Sequence, residues 1–198
     1  MRLQIFPQES LTSPERRPAA GLILLVALGA IFSAVAGAHS IEQAQGMPRG
    51  CRTGDPLAGV HHPTRLHTIK PCIEVTGTVV WARESPDGDH KFNLKLDSGS
   101  EHLLNEHNRS AQGGLLVCEI IPADQPGCIA GQPVEVTLGL LQRVEEWFQG
   151  PYEFGICTGA NIAMPAAGVR VRVVGPYVVD LPRGWTEIHP VWSIEVLN

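Results

Sequence analysis

The sequence predicts an all-β domain with minor α content, folded as a small antiparallel Greek-key barrel. Three observations carry this. Short β-branched segments alternate apolar and polar residues, Gly/Pro-rich turns separate them, and one brief stretch between them has helical character.

Taken in order, Ile73 to Ala82 (IEVTGTVVWA) is the first strand. His90 to Asp97 (HKFNLKLD) alternates strictly, with Phe92, Leu94 and Leu96 on one face and Lys91, Asn93 and Lys95 on the other. Between them, Ser85-Pro86-Asp87-Gly88-Asp89 has the chemistry of a hairpin turn. Glu101 to Arg109 forms one or two helical turns before Gly113-Gly114 stops it, and Leu115 to Ile121 (LLVCEII) is the third strand. After the turn at Pro122 to Gly127, Gln132 to Leu141 begins as a fourth strand with Val134, Val136 and Leu138 on one face. The rhythm then breaks in an excursion over residues 142–167. It resumes at Gly168 to Val174, extends through Tyr177 to Asp180, turns at Leu181 to Gly184 and ends in a strand from Glu187 to Val196. A Greek-key barrel of the OB type accommodates this series best, and a β-sandwich is the alternative, because spacing alone does not separate a closed sheet from two packed ones.

The barrel so predicted occupies residues 71–198, preceded by an extended Gly/Pro/His-rich lead-in over 39–70. Residues 1–38 read as a signal peptide or N-terminal membrane anchor. Ala19 to Ala38 carries no charge and follows Arg16-Arg17, and Ala36-Gly37-Ala38 fits a cleavage site ahead of His39. Left uncut, the same run could span a bilayer, so any membrane contact is expected through residues 19–38. Either way the domain is expected outside the cytoplasm, secreted or anchored. Without residues 1–38, which hold three arginines and two glutamates, 12 basic and 18 acidic residues remain, a net charge of −6. Such a surface gains little from releasing the counterions of DNA or RNA, so nucleic acid is not an expected partner. All five cysteines lie beyond the leader. Cys51 with Cys72 and Cys128 with Cys157 are the preferred bridges, since each pair brackets a Pro/Gly-rich stretch with little else to hold it, and Cys118 is expected as a buried thiol.

Several stretches together resemble a family of exported bacterial proteins. They include Gly54-Asp55-Pro56-Leu57-Ala58-Gly59-Val60, Thr76-Gly77-Thr78-Val79, Asp87-Gly88-Asp89-His90 and Glu119-Ile120-Ile121-Pro122-Ala123-Asp124. Gly175-Pro176-Tyr177-Val178-Val179-Asp180 and Gly184-Trp185-Thr186-Glu187-Ile188-His189-Pro190 complete the set near the C-terminus. The resemblance implies an OB-like barrel and secretion, and it brings no activity with it. Where members carry a histidine ahead of the Gly-Trp pair, this chain has Arg183.

Two constellations could carry chemistry. Asp87-Gly88-Asp89-His90 is similar to the Asp-Gly-Asp-Thr turn of staphylococcal-nuclease-like barrels, which would make Asp89 a metal ligand, although Asp-Gly-Asp is also a hairpin turn on physical grounds alone. Near the C-terminus, Asp180, Trp185, Glu187 and His189 cluster. Period-2 alternation puts Glu187 and His189 on one face while Ile188, Trp192, Ile194 and Val196 face the core. A carboxylate beside an imidazole can hold a divalent metal ion or act as an acid/base pair, and equally can be a hydrogen bond that fixes the barrel. His90, Asp97 and Glu119 join this group if their strands are neighbours, although His90 shares a face with Phe92 and Leu94, where a histidine is more often a satisfied core residue. His61, His62, His67, His102 and His107 match no metal-binding spacing and read as surface residues. The sequence thus favours a non-enzymatic, exported OB-like binding or interaction module for an undefined ligand or cell-envelope partner. A metal-dependent phosphodiester hydrolase built on Asp89, Glu187 and His189 is the alternative, and a structural envelope protein a third.

Overall fold

The structure is a computed structural model that describes residues 47–149, 151–152 and 154–198. The apolar segment 19–38 and the expected cleavage site lie outside the described residues. Strand β1 (Leu66–Glu84) pairs antiparallel with β2 (His90–Leu96) through the turn at residues 85–89, and β2 pairs antiparallel with β3 (Leu116–Ile120). Between β2 and β3 lie a 3-10 turn (Glu101–Leu103) and the short helix α1 (Glu106–Ala111), capped by Asn105. Helix α2 (Leu140–Gln149) follows β3, and β4 (Arg170–Asp180), β5 (Thr186–Ile188) and β6 (Ser193–Val196) complete the chain.

The hydrogen-bond ladders close into a ring in the order β1-β2-β3-β5-β4-β1. The barrel prediction holds, and the sheet is one ring rather than the two layers of a sandwich. One pair departs from the antiparallel pattern, since β3 and β5 run parallel. The ring closes because β1 is long and bent. Its first part pairs with β4 and its last part with β2, and register shifts near Lys70 and between Val79 and Trp81 let one strand turn the corner of the barrel.

Alternation along the strands fills the barrel. Phe92 and Leu94 of β2, Leu116, Cys118 and Ile120 of β3, Val171, Val173 and Tyr177 of β4 and Ile188 of β5 form the inner core. The outer face of β3, β4 and β5 is buried as well. Val60 and Leu66 from the lead-in, with Ile121, Ala123 and Val178, form a second cluster against which Leu57 and Val134 pack. Two disulfides fasten these coverings, Cys51–Cys72 and Cys128–Cys157, and Cys118 stays a free thiol in the inner core. The bridges indicate an oxidising compartment. Among the described residues, no helix is long and apolar enough to cross a membrane.

Three expectations need correction. Residues 132–141 do not make a strand. They keep one isolated bridge, Pro133 to Ile156, and they hydrogen-bond through the backbone to the 155–157 segment rather than to the ring. Their valines serve as cover instead, Val134 on the second cluster and Val136 against the Gly88 turn. Leu140, Leu141, Val144, Trp147 and Phe148 follow the helical period of α2 and face solvent. The last strand is split into β5 and β6, which lie end to end along the same edge of β4, with Pro190 between them unable to donate to a ladder. Past the split, Trp192 is buried and Ile194 packs partly on the core, but Val196 is exposed. Finally, the first strand begins at Leu66 inside the expected lead-in.

Gly175 shows how tight the ring is at that split. A Cβ there would collide with the Pro190 carbonyl oxygen and lie 2.7 Å from Ile188 Cγ2. We expect Gly175→Ala to destabilise the oxidised protein by about 1–3 kcal/mol, the usual cost of overpacking, read as a lower urea midpoint.

Candidate functional site

On the outer face of the barrel the strands bring ionisable side chains into one row. Lys91 of β2 stands opposite Glu119 of β3, and Val117 of β3 stands opposite Glu187 of β5, so Lys91, Glu119 and Glu187 share a face. Asp89 comes from the end of the 85–89 turn, His189 from the residue after β5, and Asp180 from the end of β4. The lead-in supplies Arg65 from the 3-10 turn Pro63–Arg65. Trp185 and Arg183 come from the turn between β4 and β5.

His189 is the centre. Its Nδ1 lies 3.1 Å from Glu187 Oε1 and 3.2 Å from Glu119 Oε2, and its Nε2 faces Asp89 Oδ2 at 3.7 Å. The second oxygen of Glu187 accepts a hydrogen bond from Trp185 Nε1 at 2.9 Å, and Lys91 Nζ sits 2.8 Å from Glu119 Oε1. Lys91 and Arg183 also lie over the Trp185 ring, at 5.1 and 5.5 Å from its centre. A second knot adjoins the first. The Asp180 carboxylate is held by Arg65 at 2.5 Å and Arg183 at 3.0 Å, and Arg65 reaches within 3.9 Å of Glu119. Glu187, His189 and Asp180 are fully buried, and Asp89 and Glu119 nearly so.

Burial at this depth sets the protonation states. Desolvation disfavours a charged His189, but the Glu119 and Glu187 carboxylates outweigh it and raise the imidazole to about 10. Burial would also raise Glu119, yet His189 and Lys91 hold it below the ordinary carboxylate range. Asp89 goes the other way. Desolvation, opposed by His189 but reinforced by Asp87 and Glu119, lifts its carboxyl well above the ordinary value. Cys118, beneath the network in the inner core, is raised by burial and by the nearby Glu187 and Glu119 carboxylates, which makes it an unreactive thiol.

Helix α1 fixes this arrangement from the side. The buried Asn108 amide donates to the Leu115 and Thr186 carbonyls, while its oxygen accepts from the Thr186 N–H and hydroxyl. The residue preceding Glu187 is therefore pinned in both backbone and side chain. Tyr177 adds a 2.6 Å bond from its hydroxyl to the Leu103 carbonyl.

Of the residues singled out in the sequence, Asp89, Glu119, Asp180, Trp185, Glu187 and His189 meet here. His90 does not. It pairs with Glu84 across the hairpin, its Nε2 lies 3.8 Å from the Glu84 carboxylate, and its Nδ1 has no hydrogen-bond partner, so it is not the satisfied core histidine expected. Spacing missed Arg65, Lys91 and Arg183 as members. Lys91 was within reach, because it shares a strand face with Asp89. Arg65 enters from a segment without periodicity and left no such trace. His102 and His107 are exposed, His107 with its ring against Gly184, whereas His61 and His62 are half-buried at the rim of the cluster, with the His61 ring stacked 4.0 Å from Tyr152.

Above the buried network, between the 85–89 and 181–185 turns, opens a cavity of about 430 Å³ walled by His61, His62, Arg65, Asp87, Tyr152 and Arg183 among others. A larger hollow of about 590 Å³ lies in the disulfide-bridged excursion, but Glu135 is its only ionisable wall residue and it is remote from this chemistry.

No protein-family model, curated protein or solved structure matches this chain. The site therefore has to be understood from its own geometry.

Two outcomes follow from that geometry. Replacing Glu119 by Leu leaves Lys91 and His189 without their shared counter-ion in a buried setting, and we expect a loss of about 3–5 kcal/mol by urea unfolding. The pH dependence has a definite sign. A histidine raised from its ordinary 6.5 to about 10 contributes stability that is complete below pH 6.5 and is lost as the pH rises through 10. Asp89, whose carboxyl is raised, makes stability fall as the pH climbs above its ordinary 3.8, while the depressed Glu119 makes stability fall as the pH drops below its ordinary 4.5. Unfolding free energy measured from pH 6 to 10 should thus decline in the native protein and stay flatter in His189→Gln.

Proposed function

We propose that the protein is an exported binding module that takes its ligand at the loop end of the barrel, in the mouth between the 85–89 and 181–185 turns. The observation that carries this is the position of the mouth. OB barrels take ligands on the face of strands 2 and 3 and in the loops joining strands 1 to 2 and 4 to 5, and the cavity of about 430 Å³ here is walled by those same two loops. Its lining suits a polar ligand, with Arg65 and Arg183 set among the carboxylates of Asp87, Glu145 and Asp180. Arg183 is half-exposed, Arg65 lies beneath it, and the His61–Tyr152 stack offers an aromatic wall of the kind that supports a sugar ring or planar group. Export is supported by the two disulfides together with the apolar leader in the sequence.

Metal-dependent phosphodiester hydrolysis, the second reading, has one observation in its favour, the grouping of Asp89, Glu119 and His189. It also needs an acid or base within hydrogen-bond reach of a substrate, and His189 and Glu187 are shut off from solvent.

Equilibrium binding of the full oxidised chain to envelope oligosaccharides separates the two. The binding reading expects saturable association that weakens about tenfold, or about 1.4 kcal/mol, in Arg183→Ala, with no turnover of bis-p-nitrophenyl phosphate. Absence of association defeats the proposed ligand class, and turnover abolished by a chelator would establish the hydrolase instead.

A further inference from the structure

We propose that the space between His189 Nε2 and Asp89 is a site for one divalent transition-metal ion, zinc foremost, with Glu119 as the third ligand. This goes beyond ligand capture at the mouth and does not depend on it.

The observation that points to an ion is a single buried atom. His189 Nε2 is enclosed by protein and has no hydrogen-bond partner, yet it is aimed at the Asp89 carboxylate 3.7 Å away. That distance is unsuited to the usual occupants of such a gap. A direct N–H···O bond spans about 2.7–3.2 Å, and two hydrogen bonds through one water span about 4.5 Å. Two ligands of a tetrahedral zinc with bonds of about 2.0–2.1 Å lie about 3.3 Å apart, within a few tenths of an ångström of the separation here. Glu119, whose Oε2 faces Nδ1 at 3.2 Å, joins as the third ligand by turning its carboxylate toward the Nε2 side; one oxygen from each acid and one ring nitrogen of His189 lie within 4.8 Å of one another.

The surroundings are those of a ligating histidine. A metal-bound imidazole usually gives its other ring N–H to a carboxylate, which fixes both tautomer and ring orientation. His189 Nδ1 lies 3.1 Å from Glu187, whose other oxygen is held by Trp185 Nε1. Charge agrees too. With an ion bound and the imidazole neutral, the ion and Lys91 carry three positive charges against the carboxylates of Asp89, Glu119 and Glu187, so the buried charge sums to zero. Without an ion, the positive charges of His189 and Lys91 face three carboxylates, and one acid must keep a proton. One imidazole nitrogen with two carboxylates favours zinc or manganese over calcium, which prefers six to eight oxygen ligands.

The test uses the full oxidised chain, stripped with a chelator, desalted, and equilibrated in turn with zinc, manganese and calcium. Elemental analysis should find one equivalent of zinc or manganese per chain. At a hundredfold excess over its dissociation constant, that ion should raise the unfolding midpoint by about 5–10 °C. Asp89→Asn keeps the side-chain volume and the turn, and it should lose both the ion and the shift while still unfolding cooperatively. His61→Ala with His62→Ala should lose neither. The proposal is overturned if no transition ion is retained, if Asp89→Asn binds as well as the native chain, or if the His61/His62 variant is the one that loses the ion.

Discussion

The interaction on which the rest of this structure depends is the enclosure of one imidazole among three carboxylates. His189 has no solvent contact, and the three acids around it lie on the hairpin turn, on β3 and on β5. Charges in such a place are tolerated only when every one has a partner. Lys91 from β2, Arg65 from the lead-in, and Trp185 and Arg183 from the β4–β5 turn are arranged to supply those partners, so three separate parts of the chain must be correctly placed. The polar network therefore checks the register of the barrel. A slip of one residue in β2 or β3 would turn Lys91 or Glu119 toward the apolar interior and leave the others uncompensated.

That demand explains why a small barrel carries so much covering. In a minimal barrel the outer strand faces meet water, and a row of charges there would be weakly coupled. Here the lead-in and the segment after β3 lie over the outer face and build a second apolar cluster beside the charges. Exclusion of water strengthens each ion pair and at the same time makes a missing one costly. Helix α1 contributes through a single side chain, Asn108, which holds the entry to β5 with three hydrogen bonds and the entry to β3 with a fourth.

How far this was legible in the sequence depends on the reach of each signal. Strict alternation in HKFNLKLD and in the 168–180 region gave both the strands and their faces, because a period of two is local. The same rule put Glu187 and His189 side by side before any partner strand was known. It failed at residues 132–141, where alternating valines have the look of a strand but cover the barrel and pair once, with Ile156. Where that segment packs is a tertiary outcome, which no local window contains. It also failed to foresee the split at Pro190 that leaves Val196 exposed. Arg65 was invisible for a related reason: its role comes from where the lead-in crosses the barrel, and that crossing is a tertiary event. The preferred cysteine pairing was recoverable because each bridge closes a stretch with no other means of support.

The placement of those bridges has a consequence for how the molecule is layered. Neither disulfide joins two strands of the ring. Cys51–Cys72 ties the lead-in to β1, and Cys128–Cys157 ties the excursion back to the segment after β3. The staves of the barrel are held by hydrogen bonds and packing, whereas its outer wrapping is held covalently. A thiol-reducing environment would then act as a selective solvent for the wrapping, wetting the ionic knot while leaving the staves joined. In this chain, oxidation is what keeps the charges dry.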